Sequence, residues 1–130
     1  MSLAYPALHA SHAGIWIAAP DGETRAVGRG EAIARAADTP MILLGAPLVG
    51  QRLGYAELSG LDLLELFAFV HPARFAVPTP KGLARALDLP PPASDVETAA
   101  LLLRAARVLL DRLEDDGWPE REGAWTAAQA

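Results

Sequence analysis

Two histidines stand three apart near the start of the chain, His9 and His12, with Ser11 between them. Imidazole is both a metal ligand and the commonest general base. A closed or catalytic metal site needs three or four ligands, however, and a spacing of three brings two side chains together only on a helix. Residues 7–13 read as strand and loop, so a structural role is the expectation for both. A one-metal site would require His9, His12 and Asp95 to converge. His71 precedes Pro72 and is expected at a helix end, favoured there by the negative helix terminus. Carboxylates are plentiful but scattered. Asp62 and Asp95 each fall in the first turn of a predicted helix, where the helix dipole already favours them. Asp115-Asp116 reads as a solvated helix end. Arg74, Lys81 and Arg85 flank one short predicted helix and are the candidates for phosphate contact. Three dispersed cations on a chain of net charge −5 make a weak electrostatic footprint, so solvated surface charge is the simpler reading.

Several chemistries are excluded outright. With no cysteine there is no disulfide framework, iron–sulfur cluster, zinc finger or thiol nucleophile. Gly28-Arg29-Gly30 lacks the spacing and the Lys-Ser/Thr ending of a phosphate-binding loop. Gly45, Gly50 and Gly54 form no dinucleotide fingerprint, and no Gly-x-Ser-x-Gly elbow occurs. Apolar residues make up 52 % of the chain, too rich for a disordered segment, yet no apolar run approaches the ~20 residues of a membrane span. At 130 residues, one domain with a tail is expected. The N-terminus has no basic region ahead of an apolar core, which reads as cytoplasmic.

The elements that must position these residues follow from local chemistry. Residues 7–10 and 14–19 read as strands, and Pro20-Asp21-Gly22-Glu23 as a turn returning into a third strand over 24–28. Residues 31–37 have the apolar spacing of a short helix. Met41 to Leu44 suits a strand buried on both faces. Pro47 fits the first turn of a helix running to Gly54. Residues 61–70 read as an apolar helix ended before Pro72. Thr79-Pro80 starts another, over 80–87. Ser94 and Glu97 form a capping box that opens the longest helix, to about Glu114, with Val96, Ala99, Leu103, Ala106, Leu110 and Leu113 along its apolar stripe and Leu101, Leu102, Val108 and Leu109 widening it beyond one face, as in a central packing element. The expected class is α/β: a small mixed sheet with an N-terminal hairpin and mostly C-terminal helices.

From Ala7 to about Glu114 the chain resembles the DEDD (DnaQ-like) 3′–5′ exonucleases, which have a ribonuclease-H-like fold. That family holds two magnesium ions with four acidic residues in three motifs. Ala7-Leu8-His9-Ala10-Ser11-His12-Ala13-Gly14 falls in the frame of the first motif, with His9 at the Asp position and Ser11 at the Glu position. Leu44-Gly45-Ala46-Pro47-Leu48-Val49 fits the second, with Val49 at its Asp. Asp62-Leu63-Leu64-Glu65-Leu66 matches the helix opening that follows, and Gly82 to Leu89 the next short helix. Asp95 opens an Ala- and Leu-rich helix as the third-motif Asp does, with Pro90 where the motif has His. Only one of four acids is present. The resemblance therefore implies the fold, trimmed between its first and second motifs, without the catalysis.

Residues 9–16, 45–54 and 61–72 are also similar to the N-terminal region of DinG-like ATP-dependent DNA helicases of alphaproteobacterial type. Trp118-Pro119-Glu120-Arg121-Glu122-Gly123-Ala124-Trp125 resembles the lead into the helicase core. The resemblance implies an exonuclease-like domain over 1–116 and a linker over 117–130. ATP and magnesium would belong to the downstream core, with no cofactor in this stretch. The implied role is a non-catalytic accessory domain whose partner is its own helicase core, with single-stranded DNA as a further partner and no membrane. Two other readings stand beside it: a divergent metal-dependent exonuclease, and a stand-alone dimerising module. The two tryptophans of the tail would gain by burial against this domain. Phe67-Ala68-Phe69-Val70 and Phe75-Ala76-Val77 are the apolar segments that would supply a contact patch if exposed.

Overall fold

The computed structural model describes residues 5–115, so the expected boundary at 116, the 117–130 linker, Asp116 and both tail tryptophans lie outside the described residues. Alternating apolar residues form strand β1 (Ala7–Ser11), which turns at His12-Ala13 into β2 (Gly14–Ala18) and then β3 (Thr24–Val27). The second turn closes as its chemistry predicts: Asp21 accepts from the Glu23 amide at 2.9 Å, and the Ala19 amide donates to the Glu23 carbonyl at 2.8 Å. Helix α1 (Arg29–Asp38) leads to β4 (Met41–Leu43), buried on both faces as expected. Helix α2 (Ala46–Leu53), a short strand β5 (Gly60–Asp62) and helices α3 (Leu63–Val70), α4 (Pro80–Ala86) and α5 (Asp95–Glu114) complete the described chain.

The five strands lie in the order β3-β2-β1-β4-β5. The first three are antiparallel, while β4 runs parallel to both β1 and β5. This is the α/β class with a mixed sheet and an N-terminal hairpin. Strand β5 corrects the sequence reading, which began a helix at residue 61. Gly60 pairs opposite Met41 so closely that a Cβ there would fall on the Met41 carbonyl oxygen, and only then does the helix begin, at Leu63.

Because strand side chains alternate, each strand feeds two cores. Ala7, Ala18 and Ile42 face α3, α4 and α5, packing with Leu63, Phe67, Leu102 and Leu109. Leu8, Ala10, Ile17, Met41 and Leu43 face α1 and α2, packing with Ala32, Val49 and Leu53. The buried face of α5 is centred on the widening residues Leu101, Leu102 and Leu109 rather than on the Val96-to-Leu113 stripe. Thr98, Leu101, Leu102, Ala105 and Leu109 join Ala99 and Ala106 in the interior, while Val96 is exposed. With apolar residues at most positions of this helix, periodicity alone does not choose the face. Thr98 is tolerated inside because its hydroxyl donates to the Ser94 carbonyl at 2.9 Å.

Asp62 ties the two cores together. Its carboxylate caps α3 through the Leu64 amide at 3.0 Å, and also accepts from the Gly45 amide at 3.0 Å and the Ala46 amide at 2.7 Å. One buried side chain therefore serves the first turns of two helices, where the dipole argument foresaw one. Gly45 stands before α2 at φ 80°, a left-handed conformation that costs glycine little, which aims its amide at Asp62.

Candidate functional site

Alternation along β1 places His9 on the same face as Ala7, toward α5. The two-residue turn at His12-Ala13 sets the hairpin register, and that register puts Trp16 directly opposite His9. The indole stacks on the imidazole with ring centroids 5.9 Å apart and an interplanar angle of 26°. Ser94 caps α5 by accepting from the Glu97 amide at 3.1 Å, which fixes Asp95 as the first helical residue. His9 Nε2 and Asp95 Oδ1 then meet at 2.8 Å, across 86 residues of sequence. A carboxylate accepts, so Nε2 is the donor in this contact. The His9 side chain is only 12 % exposed and that of Asp95 33 %.

Beyond this pair a small cleft of about 100 Å³ opens where β1 outruns β4, lined by His9, Ala10, Leu48, Val49, Arg52 and Thr79. Strand β1 pairs with β4 only at Ala7, which leaves the Ala10 carbonyl without a strand partner on that side. Arg52 reaches from α2 and donates to it at 2.6 Å. Val49 is buried on α2 in the same cleft wall. Ser11 is turned to local work, its hydroxyl accepting from the Ala13 amide at 3.1 Å.

Of the four positions aligned with the exonuclease acids, 9 and 49 line one cleft, 95 is bonded to 9 from outside that lining, and Ser11 follows two residues on along β1. Their chemistry is an imidazole, an isopropyl group and one carboxylate already bonded to that imidazole. A His–Asp pair is the orienting half of a general-base arrangement. The hydroxyl nearest in sequence, Ser11, is engaged with backbone. His12 lies exposed in the β1–β2 turn. Among the described residues no three His, Asp or Glu side chains converge as a metal-ligand set.

The second feature is an open groove of about 740 Å³ beside α4, and it gathers Arg74, Lys81 and Arg85. Thr79 caps α4 by accepting from the Gly82 amide at 3.0 Å. Lys81 and Arg85, four apart, share one face of the helix. Arg74 Nη2 donates to the Ala86 carbonyl at 2.9 Å, and its guanidinium lies 5.8 Å from the centre of the Phe67 ring. Phe75 is 82 % exposed and Val77 52 %, both along the same groove. Of the two apolar segments named as contact patches, 75–77 is therefore on the surface. In the other, Phe67 and Val70 belong to the core.

No family model matches the chain, and no curated protein or solved structure matches it significantly. The assignment of a role therefore rests on this geometry and on the motifs.

His71 is the α3 C-cap, as its position before Pro72 predicts, but the physical reason differs. The side chain is buried, and its Nε2 lies 2.9 Å from Arg112 Nη1. Guanidinium only donates, so Nε2 accepts in this contact. Its ring is thus a partner for the Arg112 guanidinium. Among the described residues, no helix is long and apolar enough to cross a membrane.

Sequence reasoning missed two residues here: Trp16, which stacks on His9, and Arg52, which lines the cleft. Trp16 could have been found by counting back from the His12-Ala13 turn, which pairs 11 with 14, 10 with 15 and 9 with 16. Arg52 carries no such signal, because its role depends on how short β4 is.

Proposed function

We propose that this chain is a non-catalytic, exonuclease-like accessory domain of an ATP-dependent DNA helicase of the DinG-like kind, and that it acts by docking protein. The observation that carries the reading is the contact of position 95 with position 9, which in turn shares one cleft with position 49. Those positions come from three motifs far apart in sequence, and a chance resemblance gives no reason for them to meet. A five-stranded mixed sheet with helices on both faces is compatible with the ribonuclease-H-like arrangement the motifs imply.

Two-metal hydrolysis needs a cluster of carboxylates to hold both ions and to stabilise the attacking and leaving oxygens. Here His9 and Val49 line the cleft, and the one carboxylate, Asp95, already serves His9. They support a cleft that has become part of the scaffold. ATP and magnesium would then act in the helicase core, and this domain would contribute surface. Docking is favoured over strand binding because the groove beside α4 combines its cations with exposed apolar side chains on an otherwise acidic chain. Single-stranded DNA remains the secondary ligand in this proposal, through Arg74, Lys81 and Arg85.

Digestion of end-labelled single-stranded DNA with magnesium or manganese tests the reading. The expected result is no cleavage above that of an Asp95→Ala variant. Metal-dependent cleavage that the variant loses would make the chain a divergent nuclease.

A further inference from the structure

We infer that the groove beside α4 is the docking site for an acidic, tryptophan-bearing stretch of this same chain, residues 116–125. The inference concerns the groove that the proposed function uses for docking and names its occupant in cis, which a partner protein or single-stranded DNA would have to displace.

The groove's chemistry specifies its occupant. Arg74, Lys81 and Arg85 line it, and neither the Lys81 nor the Arg85 side chain has a hydrogen-bond or ion-pair partner among the described residues. Asp88 is the acid on the same rim, so the lining keeps a net positive charge on a chain whose total is −5. Between the cations lie Phe75, Val77 and Leu89, with Phe75 the most exposed large apolar side chain described. A complementary ligand is extended, anionic and carries a large apolar or aromatic anchor.

Residues 116–125 read Asp-Gly-Trp-Pro-Glu-Arg-Glu-Gly-Ala-Trp. They hold three carboxylates and two indoles against one arginine. An indole suits this groove twice over, burying area on Phe75 and Val77 and offering a face to a guanidinium.

The geometry brings the two within reach. In the last turn of α5, Arg112 Nη1 lies 2.9 Å from His71 Nε2. The His71 carbonyl accepts from the Arg74 amide at 3.1 Å, and Arg74 Nη2 donates to the Ala86 carbonyl at the end of α4 at 2.9 Å. The end of α5 is therefore joined to the groove wall through three successive contacts. Ten residues beyond it span up to about 35 Å when extended.

Lys81 is the sole lysine of the chain, which makes the test selective. The full 130-residue protein is treated, when dilute, with a zero-length carbodiimide and analysed by peptide mass spectrometry. The expected product is an intramolecular amide between Lys81 and Glu120, Glu122 or Asp116, lost in high salt. In parallel, the Lys81→Glu/Arg85→Glu variant should shift tryptophan emission to the red, with far-ultraviolet circular dichroism unchanged. Coupling found only between molecules would put a second copy in the groove and overturn the inference. So would coupling to Asp88 alone together with unchanged emission. A thymidine oligomer that binds the full chain and blocks coupling, with emission insensitive to the charge reversal, would assign the groove to nucleic acid and likewise overturn it.

Discussion

Removing the Asp62 carboxylate should cost this fold a large part of its stability, and the geometry sets the amount. Three backbone amides donate to this one buried group: Leu64 and Gly45 to Oδ1 at 3.0 Å, and Ala46 to Oδ2 at 2.7 Å. Loss of an Asp N-cap costs about 1 kcal/mol. Each further buried donor left without a partner costs about 1–3 kcal/mol. Asp62→Ala strands two such donors at the start of α2 besides uncapping α3, so the sum is about 3–7 kcal/mol. Asp62→Asn is the informative contrast. Its Oδ1 keeps the Gly45 and Leu64 bonds, while an amide nitrogen faces the Ala46 amide, so about 1–2 kcal/mol is expected. Urea unfolding followed by far-ultraviolet circular dichroism measures both, and thermal midpoints should fall by very roughly 4 °C per kcal/mol. An Asp62→Ala variant within about 1 kcal/mol of the parent, or an Asn variant as damaged as the Ala one, would refute the double-cap argument.

Further outcomes follow from the same packing. Gly60→Ala should destabilise by about 1–3 kcal/mol, because the new Cβ meets the Met41 carbonyl and must push β5 from β4; an unchanged urea midpoint would remove the close approach from the account. Leu102→Ala should cost about 2–5 kcal/mol, since this side chain is fully buried between the sheet and α5; a loss no larger than that of the exposed Val96→Ala would mean that α5 is rotated from the face described. The Glu31 carboxyl is held below its ordinary range by its hydrogen bond to Arg25 and by that residue's charge. A lowered folded value stabilises above the ordinary carboxylate range and is lost as pH falls through it. Glu31→Gln should therefore flatten the acid limb of the midpoint-against-pH curve slightly and leave neutral pH nearly unchanged, the pair being fully exposed.

What was legible in the sequence is what local chemistry decides. Thr79 ahead of Pro80 and Ser94 ahead of Glu97 mark helix starts because a side-chain oxygen must meet an orphan amide within three residues. Asp21-Gly22 marks the second turn for the same reason. Strand β5 was not legible: it is three residues long, runs straight into an apolar helix, and owes its existence to a glycine facing Met41. The face of α5 was ambiguous because Leu101, Leu102, Leu103, Val108, Leu109 and Leu110 offer several stripes of similar apolarity. At the cleft, the sequence placed His9 and Asp95 in separate motifs without deciding whether they touch. Strand alternation and the α5 cap decide it, 86 residues apart. The cations of the groove were named individually, but their meeting with Phe75 depends on how residues 74–79 lie against α4.

The central proposal is that His9, Val49 and Asp95, the residues aligned with the exonuclease acids, hold no catalytic metal. Manganese titration of the isotopically labelled full chain, read by paramagnetic broadening of backbone amide signals, tests it most directly. The account predicts no saturable, selective broadening at residues 9, 11, 49 and 95. Selective loss of those signals at low manganese, reversed by magnesium and abolished in Asp95→Ala, would contradict it and restore a metal-dependent nuclease as the function.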